Sequence, residues 1–101
     1  MNMKQMMKQA QMMKKNMAIA QEEIATMTSS AESGGGMVKA VVNGNMEIQT
    51  LEIDKEACDP EDVEMLQDMI MAAVNEALRE MNEKSQARLN SVTGGINIPG
   101  F

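Results

Sequence analysis

The chain contains no His, no Trp and no Tyr, one Cys, two Pro and a single aromatic residue, Phe101. Without His there is no Ser-His-Asp or Cys-His catalysis and no ordinary zinc or non-haem iron site. Without aromatic platforms, bases have nothing to stack on. That argues against single-strand binding in the manner of an OB fold or an RNA-recognition motif. A lone cysteine forms no internal disulfide, so an intracellular protein is expected. No apolar run approaches the ~20 residues of a membrane span, and the opening residues do not read as a secretion signal. No membrane partner is expected.

What is present is a 101-residue chain, 44% hydrophobic and 24% charged, with fourteen Met. One domain is the expectation at this length, and a modest core is possible without staples. The domain is read over residues 1–93, with 94–101 as a flexible tail. Net charge is −6, which taken alone argues against nucleic acid. Its distribution argues otherwise. Residues 1–21 hold four Lys and no acid, residues 22–77 hold thirteen acids against two Lys, and residues 78–101 are nearly balanced. Such asymmetry points to a charged partner.

The first segment reads as a long helix over residues 3–28. Apolar or small residues fall at Met3, Met6, Ala10, Met13, Met17, Ala20, Ile24 and Met27, alternating steps of three and four in a heptad seam. Thr28-Ser29-Ser30 weakens the pattern and Gly34-Gly35-Gly36 stops it. Such a helix is about 39 Å long, whereas a compact domain of this size has a radius of gyration near ~13 Å. The seam must find cover elsewhere, and a second copy of the chain is the simplest source. A homodimer is expected, with Met3, Met6, Ala10, Met13, Met17, Ile24 and Met27 in its interface.

The second segment is β. Met37 to Asn43 is Val-rich, and Asn43-Gly44 signals a hairpin. In the return run Met46 to Asp54, Ile48 and Leu51 are three apart while Leu51 and Ile53 are two apart. A bulge or break near Gln49-Thr50 restores one apolar face. Two short strands are expected there, hence three antiparallel strands in all. The third segment is a second helix, capped by Asp59 with Pro60 in its first position. Val63, Leu66, Ile70, Ala73, Val74, Ala77 and Met81 form its apolar stripe. Fraying is expected between Ala87 and Val92, and Gly94-Gly95 ends the helix.

Lys4, Lys8 and Lys15 fall within about 40° of one another around the first helix, opposite the Met seam, and Lys14 lies on the flank. A solvated face is the bland reading. The sharper one is a phosphate-binding face, because no acid in residues 1–21 neutralises these lysines. The Met pairs superficially resemble copper(I) ligands, but five of the seven after Met1 in this helix sit on the seam, where flexible gap-filling side chains suit a core. Met12 falls outside the seam and is unexplained. Cys58 is surrounded in sequence by Glu56, Asp59, Glu61 and Asp62 and lacks any His or second Cys, so it is not read as a nucleophile. The acidic run from Asp54 to Asp68 lacks the pattern of a calcium loop. The three glycines lack the Lys-Ser/Thr of a P-loop and precede a strand, so they read as a turn. No nucleophile–base pair or metal cluster is present, and an enzyme is the poorest reading. No metal, cofactor or small-molecule substrate is expected.

The order of these pieces resembles the YbaB/EbfC family of nucleoid-associated proteins along nearly the full chain. The resemblance is carried by the Lys/Met/Gln-rich opening from Met3 to Glu23, Gly34-Gly35-Gly36-Met37-Val38-Lys39, Val42-Asn43-Gly44 and Ile53-Asp54. Further on it is carried by Leu66-Gln67-Asp68-Met69-Ile70, Ala72-Ala73-Val74-Asn75-Glu76-Ala77, Thr93-Gly94-Gly95 and Ile98-Pro99-Gly100. It implies an α+β fold, an α-β-β-β-α subunit with a small antiparallel sheet and two long helices, in an intertwined homodimer with tweezer-like arms. It implies duplex DNA as partner, a cytoplasmic, nucleoid-associated location, and neither enzyme activity nor cofactor. Family DNA contacts lie on the helical arms, which map onto Lys4, Lys8, Lys14 and Lys15, with Lys84 and Arg88 added from the second helix. Low sequence specificity, bending or bridging of DNA and an influence on gene expression are the expected consequences. The competing expectation is a dimeric protein-interaction module whose Met-rich helices hold a protein partner.

Overall fold

The computed structural model describes residues 2–94, so the expected tail beyond Gly94 lies outside the described residues. The chain runs α1 (Met3–Thr26), β1 (Thr28–Ser33), a 3-10 turn (Gly34–Gly36), β2 (Val38–Asn43), β3 (Ile48–Ile53), a second 3-10 turn (Lys55–Ala57) and α2 (Val63–Thr93). This is the expected α-β-β-β-α subunit.

Helix α1 ends two residues earlier than its heptad pattern suggests. Met27 turns extended at φ −71° and ψ 153°, and Thr28 opens β1. Ser and Thr hydroxyls compete with helical hydrogen bonds. The segment that weakens the helix is therefore itself a strand. Its Ser29 and Ala31 point inward while Thr28, Ser30 and Glu32 point out.

The sheet is antiparallel in the order β1-β2-β3. Val41 pairs with Thr50 and Val42 with Ile48, leaving Gln49 as an extra residue. The bulge expected near Gln49-Thr50 is present, but it does not split the strand in two. The three-strand count is met because Thr28–Ser33 supplies the strand that a divided 46–54 run was expected to give. The bulge places Ile48, Leu51 and Ile53 opposite Val42, Ala40 and Val38, all on one face.

Helix α2 covers only part of that face. Its Ala73, Ala77 and Met81 are buried against Ala31, Val38, Ala40 and Val42, with Met27, Leu66, Met69, Ile70, Val74 and Leu78 packed around them. Small side chains on both layers bring the helix close to β1 and β2. Ser33 Oγ donates to the Met69 carbonyl at 2.5 Å, and Lys84 Nζ to the Thr28 carbonyl at 2.8 Å. On β3, Ile48, Leu51 and Ile53 remain exposed.

The start of α2 differs from expectation, whereas its end falls at Gly94 as expected. Asp62, not Asp59, is the N-cap, and its side chain accepts from the Met65 N–H at 3.2 Å. Asp59 instead accepts from the Glu61 N–H at 2.9 Å, closing a turn that contains Pro60 ahead of the helix. At the other end α2 runs unbroken to Thr93, with Gly94 left-handed at φ 66° as its C-cap. The stretch expected to fray is held by Arg88, whose guanidinium donates to Glu23 at 2.6 Å and to Ser91 Oγ at 2.8 Å.

The shape is long. The extents are 70 × 20 × 18 Å and the radius of gyration is 19.3 Å, against ~13 Å for a compact chain of this length. From the Arg88–Glu23 contact, the 25 residues of α2 back to Val63 span about 38 Å and the 20 residues of α1 back to Met3 about 30 Å. Only helices leaving that contact in opposite directions fill the 70 Å axis. The N-terminal half of α1 is thus an arm projecting beyond the body.

Candidate nucleic-acid interface

The heptad seam divides at the base of the arm. Met17, Ala20 and Ile24 are buried, Met27 is half-buried against the core, and α1 packs on α2. This half of the seam is covered within the chain. Met3 and Met6 are exposed, as is Ala10, and Met13 is half-buried. Of the residues expected at a dimer interface, Met3, Met6 and Ala10 are thus left uncovered, and Met13 half-covered, by the chain itself.

The arm tip is well made. Asn2 Oδ1 accepts from the Gln5 N–H at 2.8 Å, and the Gln5 side chain returns to the Asn2 N–H at 3.4 Å. This capping box satisfies two of the four orphan donors of the helix start. No acid lies in the first turn, so Lys4 adds its charge to the positive end of the helix dipole.

Lys4, Lys8, Lys14 and Lys15 are all exposed. Among the described residues, the ion pairs are Lys39–Glu32, Arg79–Glu76, Arg79–Glu83 and Arg88–Glu23. None involves an arm lysine. The row Lys4, Lys8 and Lys15 covers about 16 Å of helix, enough to meet several phosphates of a duplex carrying one charge per ~1.7 Å of axis.

The two cations expected from α2 are placed differently. Lys84 is bound to the Thr28 carbonyl, across from the start of β1. Arg88 clasps Glu23, joining α2 to α1 where the arm leaves the body. The hydrogen bond from Arg88 holds the Glu23 carboxyl below the usual carboxylate range, and the same bond raises Arg88. Both cations have partners within the chain. This pairing across 65 residues leaves no periodic trace in the sequence. A similar fork from Arg79 to Glu76 and Glu83 lowers Glu76 and raises Arg79, on a solvated face of α2.

Two side chains beside the lysines also matter. Met7 and Met12 are 58% and 55% exposed and lie off the seam. Lys4, Met7, Lys8 and Gln11 line one shallow groove along the arm, and Gln5, Lys8, Gln9 and Met12 line another. Among the described residues no group of three or more acidic, His or Cys side chains is placed to hold a metal ion, and no helix is long and apolar enough to cross a membrane.

Known proteins share this layout. The chain is 52% identical over 100 residues, 99% of its length, to a protein of Pelotomaculum thermopropionicum named as a nucleoid-associated protein, covering 95% of that protein. It is 50% identical over the same share to a nucleoid-associated protein of Moorella thermoacetica, covering 96% of it. A crystal structure of an uncharacterized protein from Helicobacter pylori superposes with a TM-score of 0.78 at 29% identity, over 93% of this chain and 99% of that one. A sequence profile described as the YbaB/EbfC DNA-binding family matches residues 1–96. These relatives do not favour the expectation of a protein-capture module. With a match across nearly the whole chain, the protein belongs to the YbaB/EbfC DNA-binding family.

Proposed function

We propose that the protein is a nucleoid-associated homodimer that grips duplex DNA with the lysine-bearing arms. The observation that carries this reading is the row of Lys4, Lys8 and Lys15 on an arm projecting from the body, with no carboxylate among the described residues paired to any of them. Lys14 adds a flanking charge. Arg88, which clasps Glu23 at the base of the arm, and Lys84, bound to the start of β1, are not assigned to the ligand. Lysine on phosphate fixes position without reading bases, so sequence selectivity is low. Two arms on one dimer engage two stretches of backbone, which favours bending or bridging.

Two uncovered apolar surfaces support the dimer. One is the outer seam of Met3, Met6, Ala10 and Met13, and the other is the β3 row of Ile48, Leu51 and Ile53. A projecting helix of this length gains little stability from propensity alone and needs its apolar side covered. A second copy of the chain provides a matching seam.

The test is charge reversal of Lys4, Lys8 and Lys15 to Glu together, with duplex binding read by fluorescence anisotropy in low salt. Binding is expected to vanish while helical content and dimer mass in light scattering stay unchanged. Undiminished binding would remove the arm from the interface, and a concentration-independent monomer mass would remove the dimer.

A further inference from the structure

Resting on the reading above, we propose that Met7 and Met12 are DNA-contacting residues, packing their thioether side chains on apolar deoxyribose faces of the strand whose phosphates the lysines hold. The starting observation is a pair of long apolar side chains more than half exposed on a helix that could have carried Gln or Lys there. Neither holds a seam position: Met12 lies well round the helix from the seam, and Met7 sits at its edge, on the side toward the lysines. At about 100° per residue, Met12 lies about 80° to one side of Lys4 and Met7 about 60° to the other, with Lys15 and Lys8 between them. The lysines are thus flanked by a methionine on each side.

The grooves show the same arrangement from the surface. Lys8 borders both, with Met7 in one and Met12 in the other. A nucleic-acid strand has matching chemistry: charged phosphates alternate with sugar rings whose C–H edges are apolar. When ammonium groups meet the phosphates, the side chains alongside them meet sugars. Methionine suits that role because its unbranched, polarizable chain adapts to an irregular surface without demanding one base sequence. The contact is non-ionic, so it adds affinity that salt does not remove, whereas the lysine term falls linearly in log salt.

That difference separates this inference from the reading on which it rests. Binding of a fixed duplex is measured across a salt series for the unmodified protein, the Met7→Gln/Met12→Gln pair, the Met7→Leu/Met12→Leu pair and Lys8→Gln. Gln keeps chain length, charge and helix propensity while removing the apolar tip. The Gln pair is expected to keep the salt slope and to lose about tenfold in the binding constant extrapolated to 1 M salt, the order expected for partial burial of two such side chains. The Leu pair is expected to stay within about threefold of the unmodified protein, since the apolar area is kept. Helical content by circular dichroism and dimer mass are expected to be unchanged in both. An unchanged extrapolated constant for the Gln pair, a reduced slope, or a Leu pair as weak as the Gln pair overturns the inference. So does a shift of the Gln pair toward monomer, which would place Met7 and Met12 in a protein interface. A Lys8→Gln slope equal to that of the unmodified protein overturns the DNA reading of the arm itself, whatever the methionines do.

Discussion

Replacing Lys8 with Gln tests the arm at its centre with the smallest change that removes a charge. Lys4, Lys8 and Lys15 share one face, and a dimer carries two such rows, so six phosphates are within reach of aligned ammonium groups. Each neutralised phosphate contributes about −0.9 to the slope of log K against log salt, giving a slope near ~−5.4 for six. Lys8→Gln removes one contact per arm and brings the slope to about −3.6. Between 50 and 200 mM salt the unmodified protein should lose roughly 1,800-fold in affinity and the variant only about 150-fold. The assay is anisotropy of a labelled duplex at four or more salt concentrations. Lys55→Gln is the control, because Lys55 lies in the 3-10 turn of residues 55–57, just before α2, beyond the far end of that helix from the arm. A slope change near ~0.9 would mean that one arm engages and would refute the two-armed grip. No change at all, or an equal change in the control, would refute the lysine row as the ligand-binding face.

Other expected outcomes concern how the arm is held. The Asn43-Gly44 turn packs on the end of α1, where the Gly44 N–H donates to the Met27 carbonyl at 3.1 Å. A Cβ at Gly44 would stand 1.7 Å from the Ile24 carbonyl oxygen, so Gly44→Ala should destabilise the fold by about 1–3 kcal/mol. That corresponds to a loss of roughly 4–8 °C in Tm per kcal/mol for a domain of this size, and an unchanged melt would show that the turn does not bear on the helix. The Glu23–Arg88 clasp should be sensitive to acid. Arg88 depresses the Glu23 carboxyl, so its stabilising effect is fully present above the ordinary carboxylate value and is lost as pH falls through the depressed one. The Tm advantage of the unmodified protein over Glu23→Gln should therefore shrink on acidification below the usual carboxylate range, and a constant difference from neutral to strongly acid pH would deny the clasp.

The sequence shows some of these features through spacing alone. The lysine face and the heptad seam follow from 100° arithmetic, and the structure places both on α1 as expected. Periodicity cannot say which surface covers a seam, so the division into an inner half packed on α2 and an outer half on the arm was not legible. Strand β1 was missed because its inward residues are Ser29 and Ala31, and small side chains give no hydrophobic alternation. They are small because α2 lies close against them. The start of α2 was misread because Asp59-Pro60 and Asp62 offer two competing caps three residues apart, and the first closes a turn instead. Lys84 and Arg88 read from the sequence as two cations one turn apart, and only the tertiary structure shows their partners on β1 and α1.

A chain of net charge −6 can hold a polyanion if most of its carboxylates are far from the lysines, and the long axis provides that separation for those around the start of α2. Glu64 lies 24 residues before Arg88 on α2, about 36 Å along the helix, and the arm leaves the Arg88–Glu23 contact in the other direction. That distance exceeds four Debye lengths at physiological salt, where screening removes about 99% of the interaction through water. Neutralising this end with Glu56→Gln, Glu61→Gln and Glu64→Gln together changes the net charge of a dimer by six without touching the caps Asp54, Asp59 and Asp62. Affinity for duplex DNA is expected to stay within about twofold at physiological salt, because the removed charges do not act on the arm. Tightening well beyond that would mean that the partner copy brings its acidic end alongside the lysine row. The outer seam would then lie along the partner's body, against its β3 row, instead of against the partner's own seam, and the dimer would be self-inhibited by its own carboxylates. Glu22→Gln serves as the internal comparison. It lies about 10 Å along α1 from Lys15, close to one Debye length, and should tighten binding measurably when the distant triple change does not.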